Sequence, residues 1–272
     1  MTIPPGGMRL RAACAALVLA CGLAAWPIAQ AAAQAPGTPP VLLPADAAQL
    51  DLLLSQKNYL ALGDVLRQAK RAELVVPDLN WERQRMMAGA TLFINFVYAE
   101  DLWRLAAALP ADKAIALQDT AVMVLLYGYE LIDLDGVKCA DASAPGHRLD
   151  QLIAANRPAW RHIAAMTDHN RALTIDVALR LEAATAPQRG NDDFLCRGGV
   201  EETMDALGKG DKPLQVVPNP AGTAGRTLVV PPDPDYEPKF VDKKIWLPKQ
   251  EAARKAMPGE LKQIVDKFSA AK

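Results

Sequence analysis

The residues best spaced for chemistry are His162, Met166 and His169. On one continuous helix the positions i, i+4 and i+7 share a face, and two imidazoles with a thioether form a soft ligand set that suits copper. A metal site also needs a further firm ligand and an oriented partner for each imidazole, and the sequence specifies neither. The three residues are therefore weak ligand candidates with no metal assigned, and a boundary stripe beside an apolar face is the simpler reading.

Other groupings are weaker. Asp133-Leu134-Asp135-Gly136 with Asp141 nearby has clustered oxygens for a hard cation. The third acid before the glycine and the distal bidentate glutamate of a calcium loop are both missing, so it reads as a turn of solvated acids. Cys196-Arg197-Gly198-Gly199 precedes a helix start and could cradle an anion with its amides and guanidinium. Glycine is equally what a tight corner after a cysteine requires. Glu100, Asp101, Asp119 and Glu130 sit in apolar helical segments, but the Glu-x-x-His pairs of a di-metal bundle are lacking. Ion pairing with Arg83, Arg85 or Arg104 is the simpler role.

No nucleophile elbow, zinc helix, Walker loop or dinucleotide fingerprint occurs, and the chain has 3 histidines in all. No catalytic residue and no cofactor are expected, and the chain reads as a non-enzymatic protein. The formal net charge of −1 gives no footprint for nucleic acid. Charge is uneven, however: residues 32–208 carry 16 Lys and Arg against 23 Asp and Glu, whereas residues 209–272 carry 12 against 8.

The N-terminus reads as a secretory signal. Arg9 and Arg11 precede an apolar stretch over residues 12–25, and Ala29-Gln30-Ala31 supplies small residues for cleavage after Ala31, with Ala33 as the alternative position. The rival reading is a lipobox at Leu17-Val18-Leu19-Ala20-Cys21, which would anchor the protein by Cys21. The apolar run continues through Leu23 and Trp26, where a mature lipoprotein turns polar. Location is therefore expected to be periplasmic or secreted.

Cys14 and Cys21 fall inside the signal, which leaves Cys139 and Cys196. An even pair in an exported chain points to a disulfide. Closing that loop restricts the unfolded chain by about 4 kcal/mol in the entropy model.

The elements that must position these residues are helices. Pro36, Pro39, Pro40 and Pro44 keep a leader over residues 32–44 extended. Apolar residues then recur at helical spacing over residues 45–72, with a break at Lys57-Asn58. No second copy follows at a fixed period, so the segment is not a repeat. A long buried helix is expected from Asp78 or Asn80 to residue 109, followed after Pro110 by an antiparallel apolar partner to residue 132. That pairing would bring Arg104 near Asp119.

A loop over residues 133–145 carries Cys139. Helix resumes over residues 146–155, and Asn156-Arg157-Pro158 caps or kinks one that lasts to residue 184. The last helix of the domain spans residues 199–207. Nine of the 21 prolines lie beyond Gly208, where an extended tail has one strand candidate over residues 227–230 and a final helix over residues 249–268, interrupted by Pro258. Trp246, Ile264, Val265 and Phe268 make that helix apolar enough to dock on the core or on a protein partner.

The predicted fold class is thus all-α, an irregular bundle of about five to seven helices with an extended Pro-rich C-terminal tail. Residues 1–31 form the signal, 45–208 the helical domain and 209–272 the tail. No apolar run after the signal is expected to span a membrane, and the oligomeric state is open.

Overall fold

Lys57 and Asn58 break the first helical segment as their residue types predict. In the computed structural model, which describes residues 41–68, 74–209, 214–217, 227–230, 233 and 235–270, α1 (Ala47–Ser55) and α2 (Tyr59–Leu66) meet there. Lys57 adopts a positive φ of 56°, and the Asn58 side chain accepts a hydrogen bond from the Ala61 amide. The signal segment, Ala31, Cys21 and Pro36 to Pro40 lie outside the described residues, as do Pro218-Asn219-Pro220, Pro231, Pro232 and Pro234.

The next helix starts earlier than its polar residues suggest. α3 spans Val75–Met87, so Pro77 occupies the first turn, where an amide proton has no helical partner to lose. Neither Asp78 nor Asn80 is the cap: Asp78 is buried in the first turn, and Asn80 donates to the Leu42 carbonyl. Asp51 of α1 accepts from Trp81 and Arg85, which ties α3 to the first hairpin.

A single helix to residue 109 does not form. Gly89 takes φ +73°, and a Cβ there would lie 2.9 Å from Gln188 Cβ. Thr91 then caps α4 (Leu92–Ala107) by accepting from the Phe93 amide. Asp192 accepts from the Leu92 amide across 100 residues of sequence.

After Pro110, α5 (Ala111–Gly136) returns antiparallel to α4 and forms the centre of the core. It is longer than expected, continuing through Asp133 to Gly136. Among the described residues it is the one helix long and apolar enough to cross a membrane, although 61% of its most apolar window is buried inside the protein. No such helix was expected; Gly128 and Glu130 interrupt the apolar run without stopping the helix.

Around α5 pack α4, α6 (Ser143–Ala155), α7 (Arg157–His162), α8 (Asp168–Thr185) and α10 (Lys243–Ala270). The helix expected to run unbroken from Arg157 to residue 184 is divided. A short 3₁₀ turn, Ile163–Ala165, follows α7, and Met166 and Thr167 are extended. Thr167 caps α8 by accepting from the Asn170 amide.

Beyond the loop holding Cys196, α9 spans Val200–Lys209. The strand candidate has a partner: β1 (Gln215–Val217) pairs antiparallel with β2 (Thr227–Val229), Val216 opposite Leu228. α10 begins at Lys243, not residue 249, because Asp242 accepts from the Lys244 amide through its side chain and from the Ile245 and Trp246 amides through its carbonyl. The helix runs through both Pro248 and Pro258. Met257, Leu261 and Val265, spaced by four, are buried, and Phe268 stacks on Trp160 at 5.0 Å.

Candidate functional site

The cysteines are joined, with their Cα atoms 5.1 Å apart. Cys139 lies in the turn after α5 and pairs antiparallel with Phe240 just before α10, while Cys196 lies just before α9. The bond thus gathers the end of the central helix, the start of α9 and the re-entry of the tail.

The helix break scatters the predicted ligand face. His162 ends α7 with Nε2 2.7 Å from Asp119 Oδ1 and its ring edge against Trp103. Met166 is buried in the extended link, and its carbonyl accepts from Arg171. His169 is exposed in the first turn of α8. The shared face needed an unbroken helix, which Thr167 ends by capping a new one. Among the described residues no three His, Cys, Asp or Glu side chains are grouped to hold a metal ion. Asp119 also accepts from Asn170, and Arg104 pairs with Asp101 in its own helix rather than with Asp119.

The amides that follow Cys196 are taken up by the protein's own side chains. Asp141 Oδ2 accepts from the Glu201 amide at 2.8 Å, and the Ser143 hydroxyl accepts from the Val200 amide at 2.8 Å. Glu202 accepts from the Gly198 amide and from Arg197, and Arg197 also donates to the Asp233 carbonyl. Partial burial opposes ionisation of Asp141, but hydrogen bonds from Ser143 and the Glu201 amide outweigh it and hold the carboxyl below its usual range. Gly198 takes φ +82°, and a Cβ on Gly199 would strike the Asp141 carboxylate.

The segment Asp133 to Gly136, expected as a turn of solvated acids, is helix with Asp135 buried. Asp135 accepts from Arg189, Lys138 and Gln250. Arg189 and Arg254 both bind Glu182, so buried charge links α5, α8 and α10. Burial pushes the Glu182 carboxyl up, and hydrogen bonds from the two guanidiniums pull it below its ordinary value.

Among the described residues, Glu130 and Glu82 lack such partners. Glu130 has neither oxygen hydrogen-bonded, and burial, reinforced by the Glu182 charge, raises it to about 8. Glu82, fully buried, faces Asp101 across α3 and α4 with no donor from other groups on either of its oxygens. Burial first, and then the Asp101 charge, raise the Glu82 carboxyl well above its ordinary range.

A cleft of about 200 Å³ opens between α1, the α3–α4 turn and the loop after α8, lined by Lys57, Tyr59, Thr91, Arg189, Asp192 and Asp193 among others. Its charged groups are already engaged. Asp192 accepts from the Leu92 and Leu195 amides, Lys57 pairs with Asp193, and Arg189 holds Asp135 and Glu182. The cleft is where a loop is fastened to the start of α4.

Helix α9 turns its large apolar residues outward. Val200 and Met204 are each 61% exposed and Leu207 is 44% exposed, whereas Glu202, on the opposite face, is buried. Glu201 and Asp205 border the apolar ridge on one side, and both are exposed. Leu214 and Val216 are exposed a few residues further on. Beside α9, burial first and then the Glu201, Asp141, Glu202 and Asp205 charges raise the Tyr236 hydroxyl, over whose ring the Arg197 guanidinium lies. Helical periodicity of residues 200–207 reveals the ridge, but it does not tell which face turns inward.

Comparison of the chain with protein-family models, with curated proteins and with solved structures found no match.

Proposed function

We propose that this chain is exported to the periplasm or beyond, with its first 31 residues removed, and that the mature protein is a non-enzymatic interaction protein. Its partner is a different protein, which takes the Val200–Met204–Leu207 ridge of α9 into an apolar groove. Helix-in-groove recognition uses anchors at this spacing. The disulfide supports an oxidising destination, and the outward ridge is the single observation that carries the docking role.

The ridge is presented firmly. Asp141, Ser143 and Glu202 take up amides at the helix entry, and Lys209 near its end reaches Asp205 and Asp233. A second copy is a poor occupant, because antiparallel pairing of two such helices would set the Glu201 and Asp205 rows against each other.

A photo-crosslinker placed at Met204 in cells making the protein should give a discrete adduct, and one at Ile115, exposed on α5, should not. Equal labelling at the two positions would reject the docking role. The export half is read separately by mass spectrometry of the extracytoplasmic protein, which should begin at Ala32 with Cys139 and Cys196 bonded.

A further inference from the structure

We infer that the partner segment received by α9 is cationic: an amphipathic helix, forming a wall of the receiving groove, whose apolar strip is bordered by Lys or Arg. This rests on the docking role of α9 and specifies the chemistry that would recognise it. Glu201 and Asp205 form one rim of the ridge, one helical turn apart and both exposed. Lys209 is the basic residue of α9, and it already pairs with Asp205 and with Asp233. Arg197, at the helix entry, is taken up by Glu202 and the Asp233 carbonyl. Asp205 and Asp233 thus share the one cation Lys209, and no ion pair among the described residues engages Glu201, so this flank of the ridge keeps a net negative charge.

The apolar ridge supplies contact area, whereas the rim decides the sign of what approaches. A cationic border would pair with Glu201 and Asp205 in the same register in which its apolar residues cover Val200, Met204 and Leu207. An anionic segment would place like charges along that line. The same repulsion disfavours an anionic membrane surface, which an apolar ridge alone would otherwise suit.

The test uses the disulfide-bonded chain and two 18-residue helical peptides with the same leucine face, one bearing Lys and the other Glu on its polar face. Fluorescence anisotropy at low salt should show the Lys peptide binding at least about tenfold more tightly than the Glu peptide, with the preference shrinking as salt rises. Glu201→Lys with Asp205→Lys should reverse the order, and Val200→Ala with Met204→Ala should weaken the Lys peptide about tenfold. Far-UV circular dichroism checks folding, and Glu201→Gln with Asp205→Asn replaces the reversal if that variant does not fold.

Equal binding of the two peptides, with both weakened by the alanine pair, would overturn the cationic partner and leave the docking role intact. A Lys preference untouched by the alanine pair would overturn both, since attraction would then arise elsewhere. Met204-dependent binding to phosphatidylglycerol vesicles would replace the protein partner with a membrane.

Discussion

Glu130 is a buried acid that the fold holds uncharged. It is 1% exposed with both oxygens unbonded, and burial and the Glu182 charge lift it from 4.5 to about 8, with Arg189 and Arg254 opposing. Between those values the folded protein binds a proton that the unfolded chain has released, so stability falls as pH rises. The contribution is complete below 4.5 and is lost as pH rises through about 8. Asp101, raised to about 6 by burial despite Arg104, acts in the same direction over a lower window. The melting temperature is therefore expected to be higher at pH 5.5 than at pH 8.5. Glu130→Gln keeps the shape without the charge, so it should flatten the curve and raise the melting temperature at pH 8.5 by a few degrees, at about 2–4 °C per kcal/mol. A thermal-melt series in which wild type and variant fall by the same amount would place the pH sensitivity elsewhere.

Among the elements, the places where helices stop separate what the sequence discloses from what it conceals. Lys57-Asn58 is legible because a side-chain cap and a break coincide within two residues. Gly89 is harder to read: its reason is a contact with Gln188, nearly a hundred positions away, and apolar periodicity continues on both sides. Thr167 is hidden likewise, because the residues around it keep helical spacing while the cap resets the phase. That reset undid the His162, Met166 and His169 face. Pro248 and Pro258 mislead in the opposite sense, since tertiary packing of Met257, Leu261 and Val265 outweighs the two lost helical hydrogen bonds. The short helix α9 is legible, but its outward ridge is not, because Asp141 and Ser143 fasten the helix start from another part of the chain. Gly89→Ala tests the first of these stops. It combines a left-handed backbone with a Cβ at 2.9 Å from Gln188, so it should lower stability by about 1–3 kcal/mol, read as a lower urea midpoint with an unchanged slope. An unaltered midpoint would mean that the turn relaxes freely.

At the level of the whole molecule, the question is whether the C-terminal helix is an appendage or part of the core. Composition suggests an appendage, because the chain turns Pro-rich and mildly basic beyond Gly208. The packing says otherwise. Met257 and Leu261 are completely buried, Gln250 donates to the Leu134 carbonyl and to Asp135, and Arg254 provides the second guanidinium on buried Glu182. Backbone hydrogen bonds from Ala140 to Lys239 and from Val241 to Lys138 lead the tail in beside the disulfide. Leaving α10 would uncover Trp160 and strip a partner from Glu182, so detachment alone is a costly state. The helix should therefore unfold with the core in one transition. In urea, the fluorescence of Trp246 in α10, read in a variant with the other described tryptophans replaced by Phe, should follow the same curve as far-UV circular dichroism. Leu261→Ala should move both curves together by about 2–5 kcal/mol. If the Trp246 signal were lost at lower urea while helicity persisted, the tail would be a separable latch, and the continuity of charge and packing between α10, α5 and α8 would not be holding the molecule as one unit.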